Sequence, residues 1–279
     1  MQDIYIRQAI RIEENIPLFS ESNTYIENYD IIGKDVLEAI SKTGQNPFME
    51  DAYWTELESS TISLINKYSK EKDKILDVGV GMGRLISGLT KLEKYGMDIS
   101  LEQLKVSSKK GINTCLAMVE EMPYNDSYFD IIVCTDVLEH VLDLNLAIKN
   151  ILRVLKPEGY LIIRVPHAEN LSPYLDKNYP YRFAHLRNFD EFSLELLLNR
   201  VFDCKPIEFN TVGYHPIYYK FKYFKYFKLF QKIAIRTINF SKKISRLLHK
   251  RLVKLCYEPI EINYVFQKVG GGEENNAKI

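Results

Sequence analysis

An apolar run that ends in three alternating glycines, Ile75-Leu76-Asp77-Val78-Gly79-Val80-Gly81-Met82-Gly83-Arg84-Leu85, limits what this chain can fold into more than any other stretch. The branched aliphatics suit a buried strand. The glycines suit a sharp turn at the strand tip, where a side chain would obstruct a ligand lying across the strand end. G-x-G-x-G alone is weak evidence. A dinucleotide site would close its pattern with G-x-x-G, whereas here Asp77 stands two residues ahead of evenly spaced glycines, so a nicotinamide dinucleotide is disfavoured.

From Ile75 onward, short apolar runs alternate with amphipathic ones, which predicts a parallel sheet with helices on both faces. Strands are expected at Lys74–Val80, Lys94–Asp98, Ile112–Met118, Phe129–Cys134, Gly159–Val165, Lys205–Val212 and Glu261–Val269. Helices are expected at Arg84–Leu92, Leu101–Lys109, Leu144–Leu155 and Phe192–Val201, and earlier at Gly33–Ser41 and Ala52–Tyr68. The two early helices, which include the single tryptophan Trp54, either pack on the sheet edge or cap a ligand. A length of 279 residues, 46% of them hydrophobic, fits one α/β domain with additions better than two independent domains. The expected division is a helical cap over 1–70, a core over 71–213 and 258–269, an insertion over 214–257 and a flexible tail over 270–279.

Further features fall in register with the glycines. Asp98 closes the second expected strand, where a carboxylate can accept hydrogen bonds from both hydroxyls of a ribose; its alternative role, capping the helix from Leu101, is filled more simply by Ser100. Val119-Glu120-Glu121-Met122-Pro123-Tyr124 precedes Phe129-Asp130-Ile131-Ile132-Val133-Cys134, and Asp136-Val137-Leu138-Glu139-His140-Val141 and Val154-Leu155-Lys156-Pro157-Glu158-Gly159 follow. Over about Ile75 to Val212 this combination resembles the class I S-adenosylmethionine-dependent methyltransferases, within them the broad small-molecule group that includes ubiquinone-pathway enzymes. The resemblance implies a Rossmann-like, seven-stranded, mostly parallel sheet and S-adenosyl-L-methionine as cofactor. It implies that Asp77, Gly79, Gly81 and Gly83 lie against the amino-acid part, Asp98 on the ribose, Ile99 on one adenine face and Thr135 near the methionine end. Met118 stands where the family often has an adenine-contacting Asp, which leaves that contact to backbone near Met118 and Val119.

A sulfonium methyl is already activated, so such a protein must mainly align the acceptor and help it lose a proton. The Asn/Asp-Pro-Pro-Tyr/Phe tetrapeptide of many nitrogen-methylating enzymes is absent, which favours oxygen. His140 and His185 are the base candidates, because imidazole titrates near neutrality; His167 and His215, each beside a proline, read as loop residues. Certain O-methyltransferases of the ubiquinone pathway and of small-RNA ends have a similar Glu-His and a later His. That likeness implies a divalent metal on Asp136, Glu139, His140 and His185, lowering the pKa of a hydroxyl. An unassisted histidine base and a purely structural role stay open beside it.

Lys plus Arg and Asp plus Glu both total 37, yet between Asn210 and Tyr257 there are twelve basic residues and no acidic one. At helical spacing Lys225, Lys228, Lys232, Arg236, Lys243, Arg246, Lys250 and Lys254 form one stripe, with Phe227, Phe230, Ile238 and Leu248 on the opposite face. Such a helix suits the surface of an anionic membrane, a lid or dimer arm, or a grip on nucleic acid. With neither a signal peptide nor a membrane span in the text, the expectation is a cytoplasmic protein, peripheral at the inner membrane surface. The scattered Cys115, Cys134, Cys204 and Cys256 read as reduced thiols. The expected function is O-methylation of a small or lipid-linked acceptor, a glycan or a quinone-like phenol. An RNA methyltransferase that uses the arm, and a catalytically silent cofactor-binding scaffold subunit, are the alternatives.

Overall fold

A computed structural model describes residues 4–49, 51–216, 240–241, 244–245 and 257–270. The strands are β1 (Arg11–Glu13), β2 (Ile16–Leu18), β3 (Lys74–Val78), β4 (Glu93–Asp98), β5 (Asn113–Leu116), β6 (Phe129–Thr135), β7 (Leu155–Pro166), β8 (Cys204–Pro216) and β9 (Tyr257–Lys268). The helices are α1 (Thr24–Thr43), α2 (Asp51–Tyr68), α3 (Leu101–Ser108), α4 (Leu144–Val154) and α5 (Glu191–Glu195). All nine strands lie in one sheet of order β1-β2-β5-β4-β3-β6-β7-β9-β8, parallel from β2 to β7 and antiparallel at both ends.

Alternation along each strand supplies a core on each face of the sheet. Ile75, Ile131, Ile162 and Val265 meet Ile65 of α2 and Leu104 of α3 on one face. Leu76, Ile132, Ile163 and Phe266 meet Ile148 and Ile151 of α4 on the other. Burying each such side chain contributes roughly 1.5–3 kcal/mol. The helix ends are marked locally. Asn23 accepts from the N–H groups of Tyr25 and Ile26 to start α1, Gly44 ends it in the left-handed region at φ 73°, and Asp190 and Ser193 form a capping box on α5.

Four expectations need correction. The sheet has nine strands rather than seven, because residues 11–18 of the expected helical cap form a hairpin. Its two-residue turn, Glu14 and Asn15 at φ 47° and 66°, has the twist of such hairpins, and β2 joins the sheet beside β5. Strands of three residues are too short to show periodicity. Residues 84–92 form successive turns rather than a helix: Ser87 reaches back to Gly83, but Leu89 bonds Ile86 and Thr90 bonds Gly88. Gly88 and the β-branched Ile86 and Thr90 are poor helix formers, and Ile86 is buried in the core. Helix α1 starts nine residues before Gly33, at Thr24, and the expected helix at Phe192–Val201 is α5 continued by a π turn, Leu196–Val201.

The two early helices take different parts. α2 packs on the sheet, with Thr61 bonded to Asn263 of β9 at 2.9 Å, whereas α1 overhangs the carboxyl ends of the strands. The basic stripe of the insertion and residues 271–279 of the tail lie outside the described residues. The insertion leaves the sheet where Pro216 pairs with Tyr257. Cys115, Cys134 and Cys204 are free and buried.

Gly83 is a packing glycine. Its φ is 71°, and a Cβ there would lie 2.6 Å from Ile112 Cδ1 and 3.0 Å from Ser107 Cβ. Gly83→Ala should therefore cost about 1–3 kcal/mol in urea unfolding, while the cofactor affinity of the folded fraction, read by calorimetry, stays within a few-fold.

Candidate active site

Strand order reverses at β3, the place where open α/β sheets bind ligands. A cavity of about 970 Å³ opens there, roofed by α1 and walled by the segments after β6 and β7 and by α2. Gly79 and Val80 donate to the carbonyl of Met97, at 2.9 and 3.0 Å, and so fasten the glycine turn to the tip of β4. Gly79 and Gly81 line the cavity at φ 75° and 49°; a Cβ on Gly79 would come within 2.3 Å of Val137 Cγ2. Gly83 faces the core and does not line the cavity.

Asp77 is buried at the cavity wall, and its Oδ1 has no partner. Burial, with Asp98 adding and Arg164 opposing, pushes its carboxyl above the usual range. Asp98 accepts from Gly81 N–H at 2.8 Å and from Ser100 N–H at 2.9 Å. Burial raises its pKa and these amide bonds pull against the rise. Ser100 occupies the N-cap position of α3 but makes no side-chain cap bond. Ile99, Met118, Val119 and Thr135 also line the cavity. The N–H of Met118 is already given to Ser20 Oγ at 2.9 Å. At the far end Glu58 of α2 accepts from Trp54 Nε1 at 2.5 Å and from Arg84 Nε at 2.9 Å, tying α2 to the glycine turn.

These residues fit S-adenosylmethionine. An orphaned buried carboxylate oxygen at Asp77 matches an ammonium group. A glycine cradle that a side chain would fill matches the chain of the amino acid, and the Asp98 carboxylate keeps lone pairs for ribose hydroxyls.

The other half of the cavity collects Glu139, His140 and His185, each offering one ligand atom within 4.8 Å of the others. Glu139 is buried with neither oxygen partnered, and burial, reinforced by Asp136, raises its pKa. His140 Nδ1 lies 2.8 Å from the Tyr29 hydroxyl of α1, and its Nε2 lies 4.0 Å from Glu139 Oε1. Burial, then the neighbouring His185, lowers the pKa of His140 to about 4, so the ring is neutral at neutral pH. The His185 ring stands edge-to-face on it at 4.5 Å and turns its Nδ1 to Glu169, which also accepts from Tyr174 at 2.7 Å.

Asp136, expected in the same ligand set, is not part of this group. Its carboxylate meets Arg164 Nη2 at 2.5 Å, and Arg164 Nε meets Glu261 at 2.6 Å. The reason is the turn after β6: Asp136 takes φ 56°, which aims it back toward β7. Burial pushes Glu261 up to about 8, with Asp136 adding to the rise and Arg164 opposing it. His167 pairs with Glu191 at 3.0 Å, and the side chain of His215 lies outside the described residues. Sequence reasoning missed Tyr29, Arg164, Glu169 and Tyr174, which no motif marks and which tertiary contacts alone bring to the cavity.

Residues 76–163 match the family model described as a methyltransferase domain. The O-methyltransferase rstn1 of Aspergillus nomiae is 27% identical over 162 residues, 53% of this chain and 72% of that protein. The ubiquinone/menaquinone biosynthesis C-methyltransferase UbiE of Pectobacterium atrosepticum is 31% identical over 107 residues, 34% of this chain and 43% of that protein. The chain spans about half the length of the curated relatives it matches first. A solved complex between the Haloferax volcanii Trm112 methyltransferase activator and a methyltransferase has the same fold, with a TM-score of 0.60 and 12% identity over 90% of this chain and 100% of that one. Residues 76–163 are thus similar to a methyltransferase domain, and the fold around them is the one that solved S-adenosylmethionine-dependent methyltransferases share.

Calorimetry tests the cofactor half. Gly81→Val should abolish binding of S-adenosylmethionine, and Asp98→Ala should weaken it by about 1.5–3 kcal/mol through loss of a charged acceptor. Unchanged affinity in both variants would refute the assignment.

Proposed function

We propose that this chain transfers the methyl group of S-adenosylmethionine to a hydroxyl of a small or lipid-linked acceptor, a glycan or a phenol-like ring, presented at an anionic membrane surface. The observation that carries the choice of oxygen is the pairing of a neutral, buried His140 with the orphaned carboxylate of Glu139 beside the cofactor cavity. In the transfer the acceptor oxygen attacks the methyl carbon as the carbon–sulfur bond breaks; a neutral thioether leaves, and the hydroxyl must lose its proton. In this reading Asp77 and Asp98 hold the cofactor with its sulfonium toward the histidines, under the roof that α1 makes.

Glu139, His140 and His185 fit a divalent cation. They are oxygen and nitrogen donors whose ligand atoms all lie within 4.8 Å of one another, with His140 Nε2 4.0 Å from Glu139 Oε1. When bound, such a cation supplies the positive charge that lowers the pKa of a hydroxyl. The chain's own part is to hold it and to present the acceptor in line with the methyl group. In the reading without a cation, His185 oriented by Glu169 takes the proton directly.

The membrane context rests on the composition of the insertion and on where it is rooted. Pro259, Ile260 and Glu261, just after its return, line the same cavity. No helix among the described residues is long and apolar enough to cross a membrane, so attachment would be by the surface of the arm.

His140→Ala and His185→Ala should each lower turnover by about 10²-fold or more, with cofactor affinity within a few-fold, in an assay of S-adenosylhomocysteine formed from metabolite extract. A chelator should mimic them if the cation is used. Full activity in both variants refutes the assignment, and full activity under chelator leaves the direct histidine base. For the arm, the protein should float with anionic liposomes at low salt, and replacing Lys225, Lys228, Lys232 and Arg236 by Glu should release it, each charge being worth on the order of 1 kcal/mol. If the wild-type protein stays at the bottom of the gradient, the membrane reading falls; salt-sensitive RNA binding would then put nucleic acid in its place.

A further inference from the structure

The two histidines come from different parts of the chain. His140 follows β6, and His185 sits in the long connection between β7 and α5. A buried imidazole can present either nitrogen, and only the nitrogen without a proton can bind a cation. What decides between them is the partner on the other side of the ring.

For His140 that partner is Tyr29. The Tyr29 oxygen lies 2.8 Å from His140 Nδ1 and 3.4 Å from the carbonyl of Ala184. The same carbonyl lies 3.4 Å from His140 Nδ1, and a carbonyl only accepts, so the tautomer that satisfies all three groups carries its hydrogen on Nδ1, with the phenol hydrogen turned to Ala184. The bare Nε2 then faces Glu139, and neither oxygen of that carboxylate has a hydrogen-bond partner. For His185 the partner is Glu169, a carboxylate that accepts from both Tyr174 and His185 Nδ1. The proton again sits on Nδ1 and leaves Nε2 bare. Two lone pairs and the oxygens of Glu139, buried close together, repel unless a proton or a cation lies among them.

We propose that Tyr29 and Glu169 are positioning residues that hold the Nε2 atoms of His140 and His185 toward Glu139 and thereby set the affinity of this group for a divalent cation. The proposal rests on the reading of Glu139, His140 and His185 as a cation site. Neither positioning residue belongs to the stretch, 76–163, that matches the methyltransferase domain. Tyr29 comes from the overhanging helix α1, and Glu169 comes from the connection after β7. The parts of the chain outside the matched stretch would then tune a site whose Glu139 and His140 lie inside it.

The test is a titration of the full chain with Mn²⁺, followed by the electron paramagnetic resonance signal of the free ion, for the wild type, His140→Ala, Tyr29→Phe and Glu169→Gln. Each protein is also titrated with S-adenosylmethionine by calorimetry. Wild type should bind one Mn²⁺ and His140→Ala should not. Tyr29→Phe and Glu169→Gln should each bind about 10–100-fold more weakly, with S-adenosylmethionine affinity within a few-fold. If wild type binds no Mn²⁺, the cation site and the proposal both fail. Should wild type bind and both positioning variants bind equally well, the site stands and the proposal is overturned. Parallel loss of Mn²⁺ and S-adenosylmethionine affinity would make the two residues structural, which also overturns it.

Discussion

β3 is hydrogen-bonded to parallel strands on both sides, and the rest of the site depends on that pairing. Its register sets Val78 opposite Met97 of β4 and Cys134 of β6, so the three strands end together. Asp77, Asp98 and Thr135 arrive at one edge of the sheet as a consequence, although they lie far apart in the chain. The amides of Gly79 and Val80 then close on the carbonyl of Met97, which turns the glycine loop across the tip of β4 and brings Gly81 to Asp98. A one-residue slip of β3 would send Leu76 to the face now filled by Ile75 and point Asp77 away from the cavity.

The edge formed in this way is crowded with buried acids. Asp77, Asp136, Glu139 and Glu261 are raised or paired to different degrees, and the Arg164 guanidinium serves two of them. Leaving carboxylates out of water without partners is expensive. The residues that carry the oxygens left over all line the cavity. A cofactor that carries a sulfonium and an ammonium group would relieve part of that cost, and linkage requires that such a ligand stabilise the fold in return.

Helix α1 covers both halves of the cavity. At Gly33 it approaches the start of α3 so closely that a Cβ would fall 2.3 Å from Ser100 Oγ, next to Asp98. One turn earlier Tyr29 reaches His140. The same helix therefore meets the cofactor side and the histidine side, with i and i+4 positions on one face. Asn23 fixes where that face begins by capping the helix, and its Nδ2 sits 3.6 Å from the sulfur of Met118 on the opposite wall.

Much was legible in the sequence because it is local. Strand alternation and the Gly79–Gly83 spacing predict β3 and its turn, Asp98 stands at the tip of the next strand, and the family likeness follows from features separated by fixed short distances. The hairpin of residues 11–18 was not legible, because three-residue strands carry no period. The turns at 84–92 were not either, since an apolar pattern with Gly88 inside it reads as helix until the core claims Ile86. Of the cavity, the sequence determines which residue types stand at each strand end. Tertiary structure alone decides that Asp136 turns back to Arg164 while Glu139 is left unpartnered, that Gly83 faces the core, and that Tyr29 and Glu169 reach the histidines. Those pairings join positions up to 111 residues apart, and their partners are chosen by sheet register and helix docking, which no local pattern encodes.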